Sequence, residues 1–121
     1  MAKRILVVDN EREVLQLVDK MLEGHGYQVT LSVTGNEALD LLREQPFDLV
    51  FLDVMMPEMD GFEVCRRIRE IEGLEELPVV FLTAKGGGEA LGEGLDAGGT
   101  LYISKPFTGD KLRAILHALL E

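Results

Sequence analysis

A doubly wound α/β sandwich, a five-stranded parallel sheet between two layers of helices, is the fold class this sequence predicts, on three observations. Short apolar runs of strand length alternate strictly with stretches of helical periodicity, five of each. The runs RILVVD, FDLVFLD and VVFLT are nearly continuous in apolar residues rather than alternating, as strands buried on both faces require. Each ends on a polar residue, Asp9, Asp53 and Thr83, and Lys105 follows the fifth strand. One rim of the sheet should collect these groups, and in open α/β sheets that rim is where ligands bind.

The first strand is Arg4 to Asp9. Asn10, with Glu13 three residues on, resembles a capping box, and Val14, Val18, Met21 and Leu22 follow at helical spacing, so a helix should begin at about Glu11. Gly24 and Gly26 end it with His25 as a turn residue between them, and Tyr27 to Ser32 is the second strand. Thr34 and Glu37 open a second helix with Ala38, Leu41 and Leu42 inward, stopping before Pro46. The central strand then runs into Asp53, and Pro57 keeps a helix from starting directly after it. Asp60 and Glu63 repeat the cap signature for a third helix, with Phe62, Cys65, Ile68 and Ile71 as its buried stripe and Gly73 closing it.

After Pro78 comes the fourth strand. From Gly86 to Gly99 there are seven glycines in 14 residues, and Gly92 and Gly94 inside a helix each cost about 1 kcal/mol relative to Ala. A short, frayed fourth helix is expected, with Ala90, Leu91, Leu95 and Ala97 as a crude apolar face. Leu101 to Ser104 is the fifth strand. The last helix turns Leu112, Ile115, Leu116 and Leu119 to one side and leaves His117 on its outer face.

A length of 121 residues and 46% hydrophobic content suit one domain, 1–121, with no output domain within it. No apolar run approaches a bilayer span, and the start leads into a strand rather than a signal peptide, so a cytoplasmic protein without membrane contact is expected. The single cysteine, Cys65, rules out an internal disulfide or a cysteine metal cluster and reads as a packed thiol. Twelve Lys and Arg against 22 Asp and Glu, a net charge of -10, repel phosphate backbones. Direct nucleic-acid binding is therefore disfavoured, whereas basic partners or a divalent cation are favoured.

Strict β-α alternation implies right-handed crossovers between parallel strands. In the flavodoxin-like order 2-1-3-4-5 the first and third strands are neighbours at the switch point, which brings Asp9 and Asp53 together, with Thr83 and Lys105 on the other flank. Two carboxylates about 4 to 5 Å apart repel by roughly 3 to 4 kcal/mol at an effective dielectric of about 20. Such a pair wants a cation, and oxygen-only ligation suits magnesium. An ammonium and a hydroxyl suit phosphoryl oxygens, and a carboxylate between metal and lysine can act as a nucleophile forming an acyl phosphate. The reaction class is phosphoryl transfer to aspartate.

The segments VVDNE, LDVMMPEMDG, LTA and YISKPF, in this order and spread over the whole chain, resemble the receiver domain of two-component response regulators. The resemblance implies that Asp53 accepts a phosphoryl group from a phosphohistidine of a sensor histidine kinase or phosphotransfer protein. It implies Mg2+ near Asp9 and Asp53 with the Met55 backbone carbonyl as a further ligand, and Thr83 and Lys105 holding phosphoryl oxygens. Thr83 would move toward the phosphate while Tyr102, the switch aromatic, turns inward. The surface of the fourth helix, fifth strand and fifth helix would change in response, for a downstream output protein or an output domain missing from this chain; phosphorylation-dependent dimerisation is compatible with it. A cis peptide before Pro106 would aim Lys105 into the site. Such a domain is a switch with self-catalysed phosphorylation and dephosphorylation, not an enzyme turning over small substrates.

Two departures from the family pattern stand out. Asn10 occupies the place of a second acidic metal ligand. Taken alone it reads as a helix cap, and it can also offer an amide oxygen to the metal. One charge fewer should weaken magnesium binding and slow phosphorylation. The glycine-rich segment replaces a better-formed helix, and Gly99 and Thr100 stand where Ala and an acidic or amide residue are common, which leads us to expect a mobile partner surface ordered by phosphorylation or binding. Lys85 reads equally as a phosphate screen or a solvated lysine. Met55, Met56 and Met59 read as loop packing, Glu58 as solvent-exposed, and His25 and His117 as unsuited to phosphate donation. Two other functions compete: a pseudo-receiver that binds partners without phosphorylation, and an enzyme or flavin carrier, for which the glycine-containing phosphate loop after the first strand is missing.

Overall fold

The computed structural model describes residues 2–84 and 88–120, and of 88–91 the backbone only; Lys85 and the first two glycines of the glycine-rich segment, Gly86 and Gly87, lie outside the described residues. Among these residues the chain runs β1 (Lys3–Val8), α1 (Arg12–Leu22), β2 (Tyr27–Ser32), α2 (Gly35–Glu44), β3 (Leu49–Asp53), α3 (Gly61–Arg69), β4 (Val79–Thr83), α4 (Gly88–Asp96), β5 (Leu101–Ser104) and α5 (Gly109–Leu120). All the strand pairs are parallel, in the order β2-β1-β3-β4-β5, which is the predicted topology.

Every residue of β3 and β4 is buried, because helices cover both faces of the sheet centre. On one face Ile5, Val7, Leu49, Phe51, Val80 and Leu82 pack with Leu15, Val18 and Leu22 of α1 and Leu112, Ile115 and Leu116 of α5. On the other, Leu6, Val8, Val50, Leu52, Val79 and Phe81 meet the apolar sides of α2 and α3, together with Ala97 just past α4. Cys65 is fully buried there, and burial raises its thiol pKa. It is a packing residue, as expected.

Two of the three predicted helix caps are present. Thr34 Oγ1 accepts from the Glu37 N–H at 3.1 Å, and Asp60 Oδ1 accepts from the Glu63 N–H at 2.9 Å. The third is corrected: α1 is preceded by Glu11 in an extended conformation with no side-chain cap. The Glu11 N–H is taken by Asp9 Oδ1 at 2.9 Å, so the strand-end carboxylate serves this loop and leaves the Asn10 side chain for other partners. The inward stripe of α1 centres on Leu15, Val18 and Leu22, with Val14 and Met21 at its margins.

Helix α4 forms as expected, but its glycines have a packing reason that helix propensity does not contain. Leu95 is 55% exposed, contrary to its predicted place on the apolar face, and the bare Gly94 faces the sheet instead. A Cβ at Gly94 would lie 3.1 Å from the Phe81 ring, and one at Gly99 would lie 2.2 Å from it. The Phe81 ring, edge-on to Phe62 at 5.1 Å between centroids, occupies the space that side chains at these positions would need. Arg69 then ties the end of α4 to α3: Nε and Nη2 donate to the Gly98 carbonyl at 3.0 and 2.6 Å, while Nη1 donates to Leu74 O at 2.9 Å. We expect Gly99→Ala to cost about 1 to 3 kcal/mol in urea unfolding, the usual range for overpacking, and Phe81→Leu in the same chain to recover part of it. Full stability of the single variant would show that Phe81 does not dictate the glycine.

Candidate functional site

The register of the sheet builds the site. Val8 pairs with Leu52, so the residues that follow, Asp9 and Asp53, emerge side by side at the carboxyl rim. On the opposite side of β3, Asp53 pairs with Leu82, one residue short of Thr83, and Thr83 pairs with Ser104. Asp9 and Thr83 are fully buried and Asp53 is 2% exposed. Buried polar groups require partners. For the two acids the main partner is Lys105, whose Nζ donates to Asp9 Oδ2 at 2.9 Å and to Asp53 Oδ1 at 3.3 Å.

This lysine departs from the predicted layout. It was expected on the β4 side of Asp53, whereas it reaches across the aspartate and lies nearest Asp9, with the exposed Glu11 carboxylate 3.9 Å away. The cis Lys105–Pro106 bond implied by the resemblance is present, and the Lys105 N–H donates to Thr83 O at 2.8 Å. One ammonium therefore holds together two carboxylates that would otherwise repel.

Desolvation by burial, and then the neighbouring Asp9 carboxylate, push the Asp53 pKa up from 3.8 to about 6, against the opposing pull of Lys105. Burial works against the charge on Lys105, but its hydrogen bond to Asp9 and the negative charge of both acids outweigh this and raise its pKa. At about pH 7 an acid of pKa about 6 is mostly ionised. The site thus holds an ionised, weakly solvated Asp53 beside a cation.

The turn after β3 supplies the remaining contacts. The Met55 N–H donates to Asp53 Oδ1 at 3.4 Å. Asn10 spans from the β1 loop to this turn: with its amide nitrogen facing the rim it donates to Asp53 Oδ2 and to the Met55 carbonyl, each at 3.2 Å, whereas the opposite orientation would set its oxygen against two acceptors. Met56 and Met59 pack against the core as predicted, while the Met55 side chain is 60% exposed and its backbone alone serves the site. Glu58 is exposed, at a φ of 70°. Tyr102 packs against the core on the α2 and α3 side, and its hydroxyl is buried with no hydrogen-bond partner among the described residues. The ring therefore lies inward in this structure. His117 is exposed on α5, and His25 lies exposed in the turn between α1 and β2.

The fold and this rim define a class, small α/β signalling domains that centre on a buried aspartate. The chain belongs to the response regulator receiver domain family, whose model matches residues 5–117. It is 45% identical over all of its 121 residues to the response regulator MprA of Mycolicibacterium vanbaalenii, of which it covers 52%. The chain thus spans about half the length of the curated relatives it matches. The chemotaxis protein CheY4 of Vibrio cholerae superimposes with a TM-score of 0.95 at 32% identity, over 99% of this chain and 100% of that one. The BeF3-activated receiver domain of DrrB gives 0.89 at 34% identity, over 99% and 98%. Among the described residues no helix is long and apolar enough to cross a membrane.

Proposed function

We propose that Asp53 is the phosphoryl acceptor of this receiver domain, taking the group from a phosphohistidine of a sensor histidine kinase or phosphotransfer protein. The observation that carries this reading is the placement of a buried carboxylate at the end of β3, beside the Asp9 carboxylate, with the Lys105 ammonium 3.3 Å away. In the transfer an Asp53 carboxylate oxygen bonds to phosphorus, the phosphorus–nitrogen bond breaks, and its electron pair returns to the donor imidazole. Lys105 and the Thr83 hydroxyl face the phosphoryl oxygens. The chain itself turns over no small substrate.

The oxygen donors gathered here, the Asp9 and Asp53 carboxylates, the Met55 carbonyl and the amide oxygen that Asn10 can present, fit magnesium, which prefers one or two carboxylates with water and phosphoryl oxygen completing its shell. Among the described residues no third His, Cys, Asp or Glu joins the acids as a metal site, in keeping with a hydrated ion. When bound, magnesium would neutralise charge on the incoming phosphoryl group. The receiving partner surface is assigned to α4, β5 and α5, where Leu95 and Leu101 are exposed. Occupancy of the site would be read there by an output protein or domain, with self-association through this face as one form of response. A cytoplasmic location fits a phosphohistidine donor.

Acetyl phosphate with magnesium should add the mass of one phosphoryl group to the intact chain, and Asp53→Asn should abolish the addition. An unlabelled wild-type chain that binds its partners regardless would favour the pseudo-receiver.

A further inference from the structure

The Asn10 amide touches the two oxygens on the metal side of the site, Asp53 Oδ2 and the Met55 carbonyl, both at 3.2 Å. The amide nitrogen, 3.2 Å from both oxygens, faces the gap that a cation ligated by both would enter, so the two compete for that space. Asn10 caps no helix, so this bridge from the β1 loop to the β3 turn is its structural role. We infer that Asn10 is a built-in substitute for the divalent cation: its amide holds the Asp53 carboxylate and the Met55 carbonyl together in the metal-free chain, and magnesium enters only when the amide turns away or presents its oxygen.

This goes further than the loss of one charge. A missing ligand charge would weaken magnesium binding and ease carboxylate repulsion in the metal-free site, effects that Asn10→Ala would leave unchanged. An amide bridge weakens magnesium binding by competition and at the same time stabilises the metal-free site, since hydrogen bonds to a carboxylate are among the stronger ones. Asn10 therefore acts in both states, as a donor without metal and as a displaced group or oxygen ligand with it, and the competition from its donor contacts outweighs any ligation by its oxygen.

The inference rests on the reading of this rim as a magnesium site, and Asn10→Ala separates competition from simple ligation. Magnesium affinity is measured by isothermal titration calorimetry, and metal-free stability by thermal unfolding in chelator. With an amide competitor, Asn10→Ala binds magnesium as tightly as the wild type or up to several-fold tighter, and its metal-free melting temperature falls. Asn10→Asp, which restores a ligand charge and removes both donors, binds magnesium at least about tenfold tighter, equivalent to about 1.4 kcal/mol, and also melts lower without metal. Weaker magnesium binding by Asn10→Ala than by the wild type overturns the inference, as does an unchanged metal-free melting temperature. Failure of the receiver reading looks different. Wild type and Asn10→Asp would then both bind no magnesium and resist labelling by acetyl phosphate, and the inference would fall with that reading.

Discussion

Asp53→Asn is expected to give a protein that takes no phosphoryl label yet is more stable than the wild type in the absence of magnesium, by about 2 kcal/mol at about pH 7. The gain follows from the site's own electrostatics. Burial and the Asp9 carboxylate raise the Asp53 pKa from 3.8 to about 6, so between these values the folded chain keeps a proton that the unfolded chain has released. The stabilisation is complete below pH 3.8 and is lost as the pH rises through about 6. A shift of about two units corresponds to about 3 kcal/mol. Asparagine never ionises, but it forgoes the charge-assisted bond from Lys105, so only part of this is regained. Urea unfolding of both proteins in chelator from about pH 4 to 8 should show the gap opening with pH, and magnesium should close it by stabilising the wild type alone. A gap that does not depend on pH, or an asparagine variant less stable at neutral pH, would show that Asp53 is not a strained ion in the metal-free fold.

The acid pair was legible in the sequence because its determinants are local or follow from topology. An apolar run of strand length ending on a carboxylate occurs twice, and the parallel order makes neighbours of those ends. Lys105 was legible as a member of the site but not in its reach, since its closeness to Asp9 depends on the direction in which the chain leaves β5, and no periodicity encodes that. The cap reading of Asn10 fails for a related reason. The pattern of asparagine with glutamate three residues on fits a cap, but two acceptors competed for the loop's donors, and Asp9 had already taken the Glu11 N–H. The glycines around α4 read as weak helix because the cost of glycine is local, whereas what excludes a side chain at Gly99 is the Phe81 ring, contributed by a strand 18 positions earlier in the chain. Glu58, at a φ of 70°, lies in a turn without the glycine or asparagine that usually marks such a backbone.

Gly61→Ala should be the most damaging of the glycine substitutions, costing roughly 3 kcal/mol or more, at or beyond the upper end of the overpacking range. Gly61 opens α3, and its N–H donates to Val54 O at 3.0 Å, which draws the helix start onto the end of β3. A Cβ there would lie 2.3 Å from Asp53's own carbonyl oxygen and 2.9 Å from the Val54 Cα. These are backbone atoms at the end of a central buried strand, and no rotamer change can clear them. At Gly35 the first atom met, at 2.5 Å, is Val64 Cγ2, a side-chain methyl that can turn or shift, so Gly35→Ala should cost less. At Gly99 the obstacle is a ring wedged between helix and sheet, which is intermediate. The expected order in urea unfolding is Gly61, then Gly99, then Gly35. Because the strand end must yield before a methyl group fits at position 61, the variant should also slow labelling of Asp53 by acetyl phosphate in the fraction that folds, an effect not expected of Gly35→Ala. Stability within about 0.5 kcal/mol of wild type, as for an ordinary surface change, would mean that the turn from Met55 to Gly61 is free to move away from Asp53. In that case the position of the carboxylate would be set by Lys105 and Asn10 alone.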